Sequence, residues 1–403
     1  MSDILKGLRL VEASAFVAAP LGGMTLAQMG AEVIRIDALN GGLDARRWPV
    51  AGTGESLFWS GLNKGKKSVA LDIASPEGRE LAERIICAGG DDAGLLLTNF
   101  PPRGWLDYDR LKARRGDLIQ LTIQGDRHGG SAVDYTVNPA MGLPFLTGPD
   151  AANSPVNHVL PAWDLITGQM AAVGLLAGER QRRRSGQGQH VKLALEDVAL
   201  AVMGHLGFIA EAELGSRREP AGNHLFGAYG RDFVCADGAR IMVVGLTGKQ
   251  WSALVQATGI ADRLPATEAR LRLDLTQEGD RFKGRHAIDE LIAPWAAGLT
   301  LSEAAVALDA AGACWGLYRS VDDMVRSHPN CATSNPMFAR VAHPGLGEVL
   351  TPGIPLDFVG RDRLPPAPPP RLGQHTEEIL LGVAGISSGE FAKLHDRGLV
   401  LTG

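Results

Sequence analysis

The chain has 403 residues, 45% hydrophobic and 21% charged, enough to bury a large core and a natural length for two folded units. Its formal net charge of -5 gives no general attraction to nucleic acid. No apolar run approaches the length of a membrane span, so a soluble enzyme or small-molecule-binding protein is expected.

Leu8 to Glu12 reads as a short buried strand, and the loop after it leads to Pro20, which suits the first turn of a helix. That helix should run to about Gly30, followed by a strand from Ala31 to Asp37, which makes a β-α-β unit. Val69 to Ile73 is a further strand. Ser75-Pro76 then supplies an N-cap and a helical first position for a helix reaching about Ala88. Gly94 to Thr98 and Leu118 to Ile123 are two more apolar strands. Strands alternating with helices predict an α/β fold with a parallel sheet covered on both faces. A helix around Asp164 ends in Arg180, Arg182, Arg183 and Arg184, read as a solvated helix end. A strand from His190 to Leu195 and another helix carry the chain to about Ala212.

Residues 213–228 are polar with Gly and Pro, and read as a linker between a large unit, 1–212, and a small one, 229–325. Within the small unit, Tyr229 to Gln250 looks like a strand pair turning at Asp237-Gly238. Helical patterns extend to about Leu308, and Ala313 to Tyr318 looks extended. Residues 326–403 form a second linker and a return to the large unit. There Glu348 to Phe358 is extended, Arg363 to Pro370 is a stiff proline-rich connector, and Thr376 to Val383 is a closing helix.

The cysteines Cys87, Cys235, Cys314 and Cys331 lack metal-ligand spacing, so no metal site is expected. Cys87 and Cys314 lie in apolar stretches and should be buried thiols. No basic segment precedes an apolar one at the start, and a reducing cytoplasmic setting is the expectation.

The turn after the first strand, Ala13-Ser14-Ala15-Phe16-Val17-Ala18-Ala19-Pro20, lacks the glycine fingerprint of a dinucleotide site, which weakens a nicotinamide-dependent reading. Asp37 ends the second strand, where a ribose-binding acid would stand. The most informative residue is Asp164, in Leu160-Pro161-Ala162-Trp163-Asp164-Leu165-Ile166-Thr167-Gly168. An acid at the mouth of a helix is held ionised by backbone N–H groups and the positive helix end. It can serve as an N-cap, or as a nucleophile towards an activated carbonyl.

The segment DYTVNPAMGLPFLTG…LPAWDLITGQMAAVGLLAGERQRRRSGQGQHVKLALEDVAL resembles the core signature of the class III CoA-transferases. The blocks GLRLVEASAFVAAPLGGMTLAQMGAEVIRID, GLDARRW, GLNKGKKSVALDI, LLTNFPPRG, GNHLFGAYG, NPMFARVAHPGLGE and PRLGQHTEEIL stand in that family's order. The resemblance implies a Rossmann-like parallel-sheet large domain with an inserted smaller α+β domain. It also implies an interlocked homodimer, an acyl-CoA substrate, and no cofactor beyond coenzyme A. It puts the nucleophile on Asp164 and coenzyme contacts on Phe16, Val17, Ala18, Arg47, Leu71, Asn99, Phe100, Arg103 and Tyr135. Basic residues of some relatives are replaced by Ala38 and Ala74, which Lys64, Lys66 or Lys67 could offset. Near Tyr135, where relatives carry an assisting glutamate, this chain offers Thr136 or Asn138. Trp163, Tyr135 and Phe145 would supply bulk near Asp164, Gly245 to Trp251 stands where relatives have a mobile loop, and backbone N–H groups near Asp164 would hold oxyanions. His205 and His224 are candidates for a substrate carboxylate, with a structural role as the alternative. Several blocks look like the branch that moves CoA between the two carboxyls of one branched dicarboxylate. Ordinary intermolecular transfer and non-catalytic CoA binding are the alternatives.

Overall fold

The computed structural model describes residues 4–148 and 154–403, and divides the chain into two compact units. The first unit comprises residues up to 141, 159–213 and 329–403. The second comprises 142–158 and 214–328, so a segment ahead of Asp164 joins the smaller unit.

The first unit is built on strands β1 (Arg9–Ala13), β2 (Glu32–Ala38), β3 (Lys67–Leu71), β4 (Leu95–Thr98), β5 (Ile119–Gln124) and β6 (Gln189–Ala194). All six pair in parallel, in the order β3-β2-β1-β4-β5-β6. Alternating side chains feed two cores, as the two-residue pleat requires. Val11, Ile34, Val69 and Leu96 face one layer of helices, while Leu10, Val33, Leu95 and Leu97 face the other. Both faces are therefore dry, which is why these strands are short apolar runs. The chain reverses direction across the sheet at β1, so the crevice between the carboxyl ends of β1 and β4 is where an open α/β sheet takes a ligand.

Two helices on one face place the centre of the site. Helix Ala18–Ala27 follows β1 and packs against helix Ala162–Ser185. Their backbones meet at glycines. A Cβ on Gly168 would lie 2.6 Å from the Ala18 carbonyl oxygen, and one on Gly22 would lie 2.9 Å from that of Gly168. The long helix ends at Gly186 in a left-handed conformation. Its arginine run is not uniformly solvated. Arg182 is buried and donates to the Ala93 carbonyl at 2.6 Å, while Arg183 pairs with Glu179 and Asp92.

The Ser75 cap is present, accepting from Gly78 N–H at the start of helix Pro76–Ile86. The C-terminal segment adds more than the expected helix Thr376–Gly382. Helix Ser388–Asp396 follows, and β12 (Val400–Leu401) pairs antiparallel with β3. Before it, β10 (Phe338–His343) and β11 (Gly347–Pro352) form a separate antiparallel ribbon.

The second unit is an antiparallel sheet of β7 (Tyr229–Val234), β8 (Arg240–Gly245) and β9 (Cys314–Leu317). Helices Gly248–Thr258, Arg285–Ala297 and Leu301–Ala311 join it around Tyr229, Trp251, Ile288 and Leu308. Cys314 is exposed here, not buried; β9 is an edge strand, and the buried thiol is Cys235. No helix among the described residues is long and apolar enough to cross a membrane.

Candidate active site

At the β1/β4 crevice, the loops after β1, β4 and β5 and the start of helix Ala162–Ser185 enclose a cavity of about 550 Å³. Asp164, Phe16, Ala18, Arg47, Asn99, Phe100 and Tyr135 all line it, so residues far apart in sequence come together on one wall.

The β1 loop is held in an unusual shape. Phe16 has φ of 69°, a left-handed conformation that costs a bulky residue of order 1–3 kcal/mol. Its N–H is gripped by both carboxylate oxygens of Asp44 at 3.0 Å. The Asn99 amide bonds both ways to the neighbouring residue, accepting from Ala15 N–H at 2.9 Å and donating to Ala15 C=O at 2.7 Å. One donor and one acceptor of Asn99 are thereby spent on holding the loop, and the side chain still lines the cavity. Phe16 is left on the wall, while Val17 is buried beneath it.

Under this loop lies a buried ionic cluster. Arg35 reaches Asp37 at 2.7 Å, Glu12 at 3.1 Å and Asp44 at 3.4 Å, and donates to the Ser14 carbonyl at 3.0 Å. Lys66 donates to Glu12 at 2.9 Å and to the Pro20 carbonyl at 2.8 Å. Burial pushes the Lys66 ammonium down to about 8, against the pull of Glu12. Asp37 also accepts from Ser68 Oγ at 2.6 Å, so its carboxylate is consumed inside the protein.

Asp164 lies in the first turn of its helix, but it is not the cap. The N-cap is Pro161, and the capping group comes from another segment. Buried Asp134 accepts from Trp163 N–H at 2.7 Å and from Asp164 N–H at 3.2 Å through one oxygen. Asn138, one turn on in helix Asp134–Ala140, accepts from the Trp163 indole at 3.3 Å. The expectation that helix amides would keep Asp164 readily ionised is overturned. Burial first, and then the charge of Asp134, push its carboxyl up to about 6, with Arg47 opposing. Nor are those two amides free to hold an oxyanion.

Of the other expected contacts, Leu71 is completely buried in the core beside Val69 and Leu81, so its side chain cannot reach a coenzyme. Arg103 is exposed and off the cavity wall. Lys66 is locked in the ionic cluster, Lys67 pairs with Glu32 and Glu378, and Lys64 is buried, so they do not offset the missing basic groups at this wall. Thr136 caps its own helix and His205 is exposed. Sequence reading missed two features. One is Asp134. The other is the Gly129-Gly130-Ser131 turn after β5, which lines the cavity and is folded back by Asp126 accepting from His128 and Gly130 N–H. A glycine pair just past the carboxyl end of a strand was the available signal for the second.

Phe145, His224 and Gly245 to Trp251 belong to the second unit. The 245–251 stretch closes as a capping box between Thr247 and Gln250, with Trp251 buried. His224, His286 and Asp289 have ligating atoms within 4.8 Å of one another. Asp289 already takes Arg231, the Tyr229 hydroxyl at 3.0 Å and His224 at 2.8 Å, a ring of partners that suits a structural ion pair better than a cation site.

The model of CoA-transferase family III matches residues 5–376. The chain is 57% identical over 402 residues to 2-methylfumaryl-CoA isomerase of Chloroflexus aurantiacus, covering 99% of this chain and 98% of that one. It is 29% identical to succinyl-CoA–D-citramalate CoA-transferase of the same organism, covering 98% of each. A solved CAIB/BAIF family protein from Brucella suis superposes with a TM-score of 0.77 at 24% identity, covering 94% of this chain and 98% of that one, and shares its fold.

Proposed function

The chain belongs to CoA-transferase family III, and from that premise we propose that it shifts CoA between the C1 and C4 carboxyls of 2-methylfumaryl-CoA within one molecule. The observation that carries this reading is the end-to-end similarity to a relative named for that reaction. The cavity beside Asp164 supplies a chemistry that fits it.

Asp164 attacks the thioester carbonyl, and the C–S bond breaks to give a mixed anhydride and the CoA thiolate. The thiolate then attacks the Asp164 carbonyl. The anhydride C–O bond breaks, leaving an Asp164–CoA thioester and free 2-methylfumarate. The dicarboxylate turns, and its other carboxylate attacks the Asp164 thioester, releasing thiolate and forming the second anhydride. The thiolate attacks the substrate carbonyl of that anhydride, giving the isomeric thioester and restoring Asp164. No proton or redox partner is consumed. Raising the energy of the Asp164 anion favours its acylation, because the acylated side chain no longer repels Asp134. Keeping the freed acid bound makes the second attack unimolecular, which can lower the barrier by several kcal/mol.

The weaker similarity to an enzyme named for transfer between two acids supports an intermolecular transferase as the second reading. We also propose that the chain works as a homodimer. Ile166, Met170 and Val173 expose one apolar stripe on the Asp164 helix, which a second copy would cover. The test of function is direct: purified protein with 2-methylfumaryl-C1-CoA should yield the C4 ester by chromatography without added acid. Failure to isomerise, with turnover appearing only when a second acid is supplied, would move the assignment to the intermolecular reading.

A further inference from the structure

A dicarboxylyl thioester brings a free carboxylate into a cavity that already holds the carboxylate of Asp164. Among the described residues lining that cavity, Arg47 is the only cation. We propose that Arg47 is the seat for whichever substrate carboxylate is not being transferred. This rests on the isomerase reading and names the group that reads the acyl end of the substrate.

Three features support the assignment. First, the root of the side chain is fixed. Arg47 N–H donates to the Asp44 carbonyl at 3.1 Å, and its own carbonyl accepts from Ser56 Oγ at 2.6 Å. Second, the guanidinium lies against two rings, with its carbon 5.0 Å from the centroid of Phe16 and 4.5 Å from that of Phe58. Ring contacts hold a guanidinium through its flat face, which leaves the N–H donors at its edge to take a carboxylate in a planar fork. The left-handed backbone of Phe16 acquires a purpose here, since it puts one of those rings on the wall. Third, no carboxylate among the described residues forms an ion pair with Arg47. Asp44, on the same loop, gives its oxygens to Phe16 N–H and Arg35.

The seat also suits the turn that an internal transfer needs. When CoA leaves one end of the acid and rests on Asp164, the free species is a dianion. One carboxylate must attack the Asp164 thioester while the other is neutralised. An end-for-end turn exchanges them, so a single guanidinium serves both thioester isomers. It also retains the acid between the two half-reactions.

The test compares wild type with Arg47→Gln and Arg47→Lys on paired substrates. 2-Methylfumaryl-CoA and succinyl-CoA carry a free carboxylate; crotonyl-CoA and butyryl-CoA do not. Formation of the Asp164–CoA adduct is read by intact mass, CoA affinity by calorimetry, and folding by thermal melting. Arg47→Gln should lower kcat/KM for the dicarboxylyl esters by roughly 10- to 100-fold, the scale of a lost charge-assisted hydrogen bond. Because the Arg47 charge also acts on the Asp164 carboxyl, the monocarboxylyl esters should lose some rate too, but roughly 10-fold less than the dicarboxylyl esters, since they never engage that bond, and free CoA affinity should change by less than about threefold. Arg47→Lys should recover part of the loss. Labelled free 2-methylfumarate should enter the product more readily in Arg47→Gln, because the dianion is no longer retained. An equal loss on all esters, or a parallel loss of CoA affinity, would overturn the proposal and give Arg47 to the coenzyme or to Asp164. If wild type does not isomerise 2-methylfumaryl-CoA, the isomerase reading fails alone, and succinyl-CoA against butyryl-CoA still reports on Arg47.

Discussion

Replacing Asp164 by Asn should cost all turnover and yet stabilise the fold at neutral pH. The carboxyl is pushed up from 3.8 to about 6 by burial and by Asp134. A rise of that size is worth about 3 kcal/mol between the two protonation states. A raised carboxyl binds its proton more tightly when folded than unfolded. The contribution of Asp164 to wild-type stability should therefore fall as pH rises from about 4 to about 6, and stay lowered above that. Asn has no charge to desolvate and removes the repulsion. Near pH 4 the two proteins should be equally stable, whereas at pH 7.5 the variant should lead by up to about 3 kcal/mol, less where solvent screens the site. Urea unfolding of both proteins at half-unit steps from pH 4 to 8 measures the difference. An Asn variant no more stable at pH 7.5, or an advantage that does not change with pH, would refute the electrostatic account of Asp164.

Other expectations follow from the same geometry. In wild type, kcat/KM should fall below about pH 6 as Asp164 takes up its proton, and Asp134→Asn should move that limb to lower pH by removing a neighbouring negative charge. The same variant should slow turnover, because the Trp163 and Asp164 amides lose a charged acceptor. Leu71→Ala should lower stability by about 2–5 kcal/mol in denaturant titrations while leaving CoA affinity unchanged, since Leu71 belongs to the core. Gly168→Ala should destabilise by about 1–3 kcal/mol despite the better helix propensity of Ala, by forcing apart the two helices that meet there; denaturant midpoints and turnover should fall together.

The sheet was legible because its strands are buried on both faces. Unbroken apolar runs such as Leu95-Leu96-Leu97 cannot be loops, and Ser75-Pro76 and Asp237-Gly238 carry their own local chemistry. The last helix, Ser388–Asp396, was not legible, since Ser387-Ser388-Gly389 reads locally as a loop; β12 is only two residues long and exists through its pairing with β3. Asp164 drew attention by its place at a helix start and by family resemblance, and the β1 and β4 loops by their place at strand ends; all three line the one cavity. Asp134 was not legible, because the amides it caps lie in a different segment and no local period links an acid to a distant helix start. Leu71 misled for a related reason. It ends a strand, where ligands often bind, but its side chain points into the layer under helix Pro76–Ile86.

The central claim is that CoA returns to the same molecule that gave it up. The most direct measurement supplies unlabelled 2-methylfumaryl-C1-CoA together with excess carbon-13-labelled free 2-methylfumarate, and follows the mass of the C4 ester through the first turnovers. The expected result is an unlabelled C4 ester formed at the full rate. Label entering the product thioester at the rate of turnover would contradict the claim and leave an ordinary transferase that works between two acids.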